Sequence, residues 1–414
     1  MKQLISAAVL TSITVTGVFL YPSINAKPVN DPPAPVIFPA PATPTPVTAA
    51  PNIAEIAQLN NSIEVAFVLD TTGSMSSLIQ GAKENIWSIA SSMASAESAP
   101  TIKMGLVGYR DRGDQYVTKI SDLSDDLDSG YGTLMNFTAA GGGDAPESVN
   151  KALYDAVTKM SWGQDDGTYR VIFLVGDAPP KMSYNDEMQY PEIVELARKK
   201  GIVINTIQCG QQASTTAPWK QIASLSQGRF FQVEQSGSAV AISTPFDEKL
   251  AALSTQLDQT RLFYGSEKVQ ARKRLKQAAS DKFNRTASPA SAAKKAEFNI
   301  SRSGARNFSG DNELLGDLDS GKVSLEEIAV KELPSELREL EQDERQQVLA
   351  KKAEDRKKIK QQIAELAAKR SDYVKKELAK TDKAESSLDN QIYQTVRAQA
   401  KNKGLVYKNS SAKY

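Results

Sequence analysis

The stretch Ile63–Ser76, IEVAFVLDTTGSMS, decides the fold. A run that is apolar but for Glu64, Ile63 to Leu69, stops at Asp70. Thr72 and Ser74 follow at two-residue spacing, with Gly73 between them. Such a run bounded by a turn signal reads as a buried parallel strand. In open α/β sheets, ligands sit beyond the carboxyl ends of the strands. Asp70, Thr72 and Ser74 therefore share a loop where such a fold places its site. One carboxylate and two hydroxyls are hard oxygen donors, suited to Mg²⁺, Mn²⁺ or Ca²⁺ rather than zinc.

Working outward, 61–244 alternates strand and helix signals. Strands are predicted at Ile63–Leu69, Ile102–Tyr109, Tyr116–Ile120, Arg170–Val175, Ile202–Gln208 and Arg229–Val233. Tyr116–Ile120 reads as a hairpin partner at the sheet edge. Helices are predicted at Ser74–Ala96, Pro146–Met160, Tyr190–Lys200 and Pro218–Gln227. This alternation implies an α/β fold: a doubly wound, mostly parallel sheet with helices on both faces.

Two further loops carry chemistry. Ala139–Glu147, AAGGGDAPE, sets three glycines before Asp144 and Glu147, two carboxylates at the mouth of a helix. Phe173–Pro180, FLVGDAPP, ends another apolar run in Gly176-Asp177. After the second strand comes Tyr109–Asp114, YRDRGD, in which Arg110, Asp111, Arg112 and Asp114 read as a charged rim that selects partners.

Asp70-Thr71-Thr72-Gly73-Ser74 fits D-x-[ST]-G-S and resembles the first loop of the metal-ion-dependent adhesion site in von Willebrand factor type A domains. GGGD-x-PE resembles the second loop in a subset of these domains and the D-x-PE segment of integrin β chains. Simpler members have Thr where Asp144 stands. The resemblance implies Glu147 or Asp144 as a metal ligand, with Asp177 approaching the ion directly or through water. It covers about 61–245. It also implies a cation with one coordination position left for a partner's Asp or Glu, which makes adhesion metal-dependent.

Composition narrows the alternatives. The 414 residues carry a net charge of +1, so no global field draws the chain to nucleic acid or acidic lipid. Having no histidine removes His-dependent triads and the usual zinc ligand. The one cysteine, Cys209, reads as a buried structural thiol. A hydrolase using Asp70 as nucleophile would want D-x-D, but Thr72 holds the second acidic position. The chain is therefore read as a binding protein rather than an enzyme.

Residues 1–26 read as an export signal, with Lys2, the apolar Leu4–Leu20 and cleavage after Ala26, which suggests the periplasm or cell exterior. Nine of the 19 prolines fall in Lys27–Pro51, so 27–60 reads as an extended spacer. Beyond 245, the expectations are one helix over 246–277, a mobile linker over 278–312 and a charged helical region over 313–414. Leu337, Leu340, Val348, Ile359, Ile363, Leu366 and Tyr373 recur at helical spacing, but Lys352, Arg356 and Arg370 interrupt sustained heptads. A helical hairpin, a partner-dependent helix and a dimeric coiled coil all fit that pattern. These helices also offer a second function: a structural role binding an envelope component.

Overall fold

The computed structural model describes residues 62–143, 146–234, 242–380 and 388–408. The signal and spacer expectations lie outside these residues, as does Asp144. Among the described residues, no helix is long and apolar enough to cross a membrane.

Six strands form one sheet: β1 (Ser62–Asp70), β2 (Thr101–Tyr109), β3 (Thr118–Ser124), β4 (Tyr169–Gly176), β5 (Ile202–Cys209) and β6 (Phe230–Val233). Their order is β3-β2-β1-β4-β5-β6, and every pairing is parallel except β2 with β3. The chain winds outward from β1 to β3, then returns to β4 on the other side of β1. The loops after β1 and β4 consequently diverge at a switch point, where such sheets open a crevice.

Helices α1 (Ser76–Met93) and α2 (Leu127–Met135) cover one face. Helices α3 (Val149–Lys159), α4 (Tyr190–Lys199) and α5 (Ala213–Leu225) cover the other. Alternate residues of β1 feed the two cores. Ile63, Val65, Phe67 and Leu69 pack on the α1 side, Ala66 and Val68 on the α3 side. Burial on both faces is why the strand reads as a run rather than an alternation.

The remaining helices are α6 (Asp247–Gln259), α7 (Glu267–Thr286), α8 (Pro289–Ile300), α9 (Arg302–Ser309), α10 (Leu314–Asp319), α11 (Ser335–Arg338), α12 (Gln342–Leu378) and α13 (Leu388–Ala400). They correct the expectations for this half in three ways. The single helix over 246–277 is broken between α6 and α7, where Gly265 takes φ +114° and Leu262 pairs back onto Glu313 and Leu314. The mobile linker over 278–312 is helical and packed. Its Ala and Ser content serves close helix approach, with Ala292, Ala293 and Ala296 buried and Ser288 capping α8.

The third correction concerns the domain boundary. Ile392, Tyr393, Val396 and Ala400 of α13, with Leu405 and Tyr407, join the core on the α1 face of the sheet. Gln399 hydrogen-bonds Tyr169 of β4 and Asn205 of β5. The helix that completes this face therefore comes from beyond the helical region, and α6–α12 are inserted between β6 and α13.

Helix α12 runs 37 residues, about 55 Å at 1.5 Å per residue. It packs inside the chain against α6 and α8. Leu349, Arg356, Ile363 and Arg370, seven residues apart, are buried. Arg356 grips Glu313 with both terminal nitrogens, at 2.9 and 2.8 Å, and Arg370 donates to Asp247 at 2.8 Å. Two of the charges that interrupt the apolar stripe, Arg356 and Arg370, are thus core positions with acidic partners from elsewhere in the chain, whereas Lys352 is half-buried and pairs with the exposed Glu336.

Candidate metal centre

Asp70 ends β1 fully buried. The Thr72 amide donates to its Oδ1 at 2.9 Å and the Thr72 hydroxyl to the same oxygen at 2.6 Å. The Thr72 and Ser74 hydroxyl oxygens lie 3.3 Å apart. All of this crowds onto Oδ1. Asp70 Oδ2 is buried with no hydrogen-bond partner among the described residues.

The glycine loop closes over this turn. The Gly73 amide donates to Gly141 O, and Ala140 N to Thr71 O, both at 3.1 Å. Gly141 and Gly142 have φ of +75° and +77°, a region that glycine enters freely. A Cβ on Gly142 would stand 2.8 Å from Thr72 Cβ and 3.3 Å from Glu147 Oε1. Gly142 thus lets the Glu147 carboxylate and Thr72 flank one point. The Asp114 carboxylate accepts from Gly142 N at 3.2 Å and steadies the loop.

Glu147 is 3 % exposed and is clamped to the third loop. Its amide donates to Pro179 O at 3.0 Å, and its carbonyl accepts from Lys181 N at 2.8 Å. Its Oε2 is a second buried oxygen without a hydrogen-bond partner among the described residues. Asp177, half-buried, follows β4, and the Thr215 hydroxyl donates to its carbonyl at 2.8 Å.

These acids act on one another's ionisation. Burial, with a smaller push from Asp177, raises Asp70 from 3.8 to about 7, although hydrogen bonds from Thr72 oppose the shift. Burial, then the charges of Asp70, Asp111, Asp114 and Asp177, raise Glu147 from 4.5 to about 8. Tyr109, fully buried with its hydroxyl unpaired among the described residues, is pushed well up by burial and by Asp70, Glu147 and Asp177. The Cys209 thiol is pushed up by burial and is closed off from solvent, as a structural cysteine should be.

Carboxylates held together in apolar surroundings, with oxygens left unpaired, fit a hard divalent cation that neutralises them. Among the described residues, no three His, Cys, Asp or Glu side chains form a metal-holding group by themselves. A cation here would also need the hydroxyl oxygens of Thr72 and Ser74.

The expected partner rim is corrected. Tyr109, Arg110 and Asp111 are all buried, at 0 %, 3 % and 5 % exposure. Arg110 braces the loops, donating to Thr71 O at 3.1 Å and Thr138 O at 2.7 Å, and lies over the Tyr116 ring. Asp111 accepts from the Ser148 hydroxyl at 2.7 Å and from Tyr184. Arg112 does reach the surface, paired with Asp186 and Glu187 at 2.9 and 2.6 Å and stacked on Tyr184. Tyr184, Asp186 and Glu187 were not anticipated. Their approach to Arg112 spans more than 70 residues, and no local pattern signals it.

Residues 64–244 match the family model described as von Willebrand factor A domain. Over this segment the chain is similar to a von Willebrand factor A domain. No curated protein matches the chain. Among solved structures, proximal thread matrix protein 1 from the mussel byssus is 18 % identical, with 42 % of each chain covered and a TM-score of 0.33. The same mussel protein with a zinc-occupied MIDAS motif gives 19 % identity, 42 % and 41 % coverage and a TM-score of 0.32. The SpRpn10 VWA domain gives 12 % identity over 42 % of this chain and 88 % of that one, with a TM-score of 0.32. The match thus spans about two fifths of the mussel protein.

Proposed function

We propose that the type A domain is a metal-dependent protein-binding module of the adhesion type, exported from the cell and not catalytic. A single observation carries this reading. Asp70 Oδ2 and Glu147 Oε2 are both buried without hydrogen-bond partners among the described residues, in loops that also bring up the Thr72 and Ser74 hydroxyls. Burying an unpaired carboxylate is costly unless something neutralises it.

Asp70, Thr72 and Ser74 would hold the ion, with Glu147 and Asp177 closing the set from the second and third loops. A bound Mg²⁺ or Mn²⁺ supplies a coordination position that a partner's Asp or Glu side chain can take. The chain's own part is to fix the donors. Thr72 pins Asp70 Oδ1, Gly142 lets Glu147 approach, and Arg110 ties the first and second loops together. The absence of histidine and of a second acid at Thr72 supports binding over hydrolysis. The N-terminal sequence pattern supports export.

Titration calorimetry with Mg²⁺ and Mn²⁺ tests the site. Saturable binding should be lost in Asp70→Ala. Binding that survives that substitution would refute the reading. Metal-dependent turnover of phosphoesters or peptides, lost in the same variant, would overturn the non-catalytic assignment.

A further inference from the structure

At the opposite end of the sheet is a second feature that the type A domain does not explain. Strand β3 runs antiparallel to β2, with Met104 opposite Ser124, so its last residues lie away from the loops around Asp70. Beyond them, a cavity of about 380 Å³ opens between the Ser124–Asp126 turn, α7 and the turn after α9. Lys273 and Lys276, 7 % and 3 % exposed, line its buried side, and Arg272 and Arg306 are exposed at its mouth.

The two lysines differ. Lys276 is satisfied, donating to Asp126 at 2.8 Å and to Asn307 O at 2.7 Å. Lys273, among the described residues, makes no hydrogen bond and no ion pair, while the Phe263 ring stands 5.3 Å from its nitrogen. Arg272 and Arg306 are likewise without ion pairs among the described residues. Burial, then the charge of Lys276 and more weakly that of Arg272, push the Lys273 ammonium down, against opposing pulls from Asp311 and Asp126. The Lys273 side chain is mostly covered and its nitrogen opens into the cavity with no acceptor among the described residues, whereas the fully buried Lys295 is met by two carboxylates.

Backbone geometry keeps the space over Lys273 open. Gly310 takes φ +58°, and a Cβ there would sit 3.2 Å from Lys273 Nζ and 4.0 Å from Lys276 Nζ. Asp125 and Asp311 also line the cavity and are exposed. A cavity of this size suits a small molecule. Guanidinium groups hold tetrahedral oxyanions through paired N–H donors. Carboxylates accept from hydroxyls.

We propose that this pocket binds a phosphate group carried on a hydroxylated small molecule. Lys273 is the buried anchor, Arg272 and Arg306 hold the oxyanion at the mouth, and Asp125 and Asp311 accept from the carrier's hydroxyls. The pocket joins the type A domain to the inserted helices, so its ligand bridges the two.

Calorimetry and thermal melts of the full chain with glycerol 3-phosphate, ribose 5-phosphate, inorganic phosphate and glycerol test this. Both measurements should show saturable binding of a phosphate ester, none of glycerol, and no effect of chelator. Lys273→Met should weaken binding tenfold or more without lowering the melting temperature measured in the absence of ligand. Arg306→Gln, at an exposed position, should weaken binding several-fold, and it decides the matter if Lys273→Met does not fold. A preference between the two esters distinguishes a glycerol phosphate headgroup or polymer from a free sugar phosphate. No saturable binding of any phosphate, or wild-type affinity in Arg306→Gln and in any folded Lys273→Met, would overturn the proposal. Equal affinity for esters and inorganic phosphate would overturn the role given to the two aspartates.

Discussion

Two groups of buried acids in this chain stand in opposite condition. At the loop tips, Asp70 and Glu147 are raised to about 7 and about 8, and neither carboxylate makes an ion pair among the described residues. At the seam with the inserted helices, Asp128 is fully buried too. Yet Lys295 and Arg261, with Lys276 further off, hold its carboxyl well below the usual range. Arg261 and Lys295 also engage Asp258, at 3.1 and 2.5 Å, in one network across the seam. The same desolvation acts on both groups, so the difference lies in the counter-charges. The charges of the seam are paired within the chain, whereas the loop cluster has no such counter-charge among the described residues, which is what the proposed cation would supply.

The largest expected effect follows from breaking the seam. Asp128→Asn leaves Arg261 and Lys295 short of a counter-charge and should lose about 3–5 kcal/mol in urea unfolding. Asp70→Asn, measured in chelator at pH 8, should lose nothing, since it removes a charge the fold leaves uncompensated. Equal losses in the two variants would erase the contrast.

Next in size is the response to metal. Mg²⁺ or Mn²⁺ at a hundredfold excess over Kd should stabilise the wild type by about 2.7 kcal/mol in thermal melts, and Asp70→Asn not at all.

Smaller still is the dependence on pH. Raised carboxyl groups hold their protons in the folded chain and lose them earlier when unfolded. Metal-free stability from Asp70 and Glu147 is therefore full below about pH 4 and falls as pH rises through 7 and 8, by at most about 1.4 kcal/mol per pH unit per group. Asp128 has the reverse sign, with its contribution lost as pH falls below 3.8. Urea midpoints in chelator from pH 8 down to pH 3, for wild type, Asp70→Asn and Asp128→Asn, separate the two trends. The smallest effect is expected from Arg112→Ala, at the surface: an unchanged melting temperature and unchanged metal binding, with weakened capture of an acidic partner.

The sheet and its loops were legible because each strand buried on both faces writes a local apolar run, and because Asp70 and Asp177 end such runs. What could not be read depends on distant partners. Arg356 and Arg370 looked like interruptions until Glu313 and Asp247 were found beside them. Helix α2 was hidden among acids and glycines, although Leu127, Tyr131 and Leu134 keep helical spacing and Asp126 caps it through Ser129. The burial of Tyr109, Arg110 and Asp111 follows from contacts with Ser148, Tyr184 and the glycine loop, none of which the hexapeptide YRDRGD announces.

The position of α13 in the chain bears on how this protein is made. Its core residues enter the sheet face about 150 residues after β6. At about 5–20 residues per second, a ribosome needs ~8–30 s to supply them. During that interval the α1 face of the sheet lacks the cover of α13 and the Gln399 hydrogen bonds to Tyr169 and Asn205, and a chaperone would have its opportunity there.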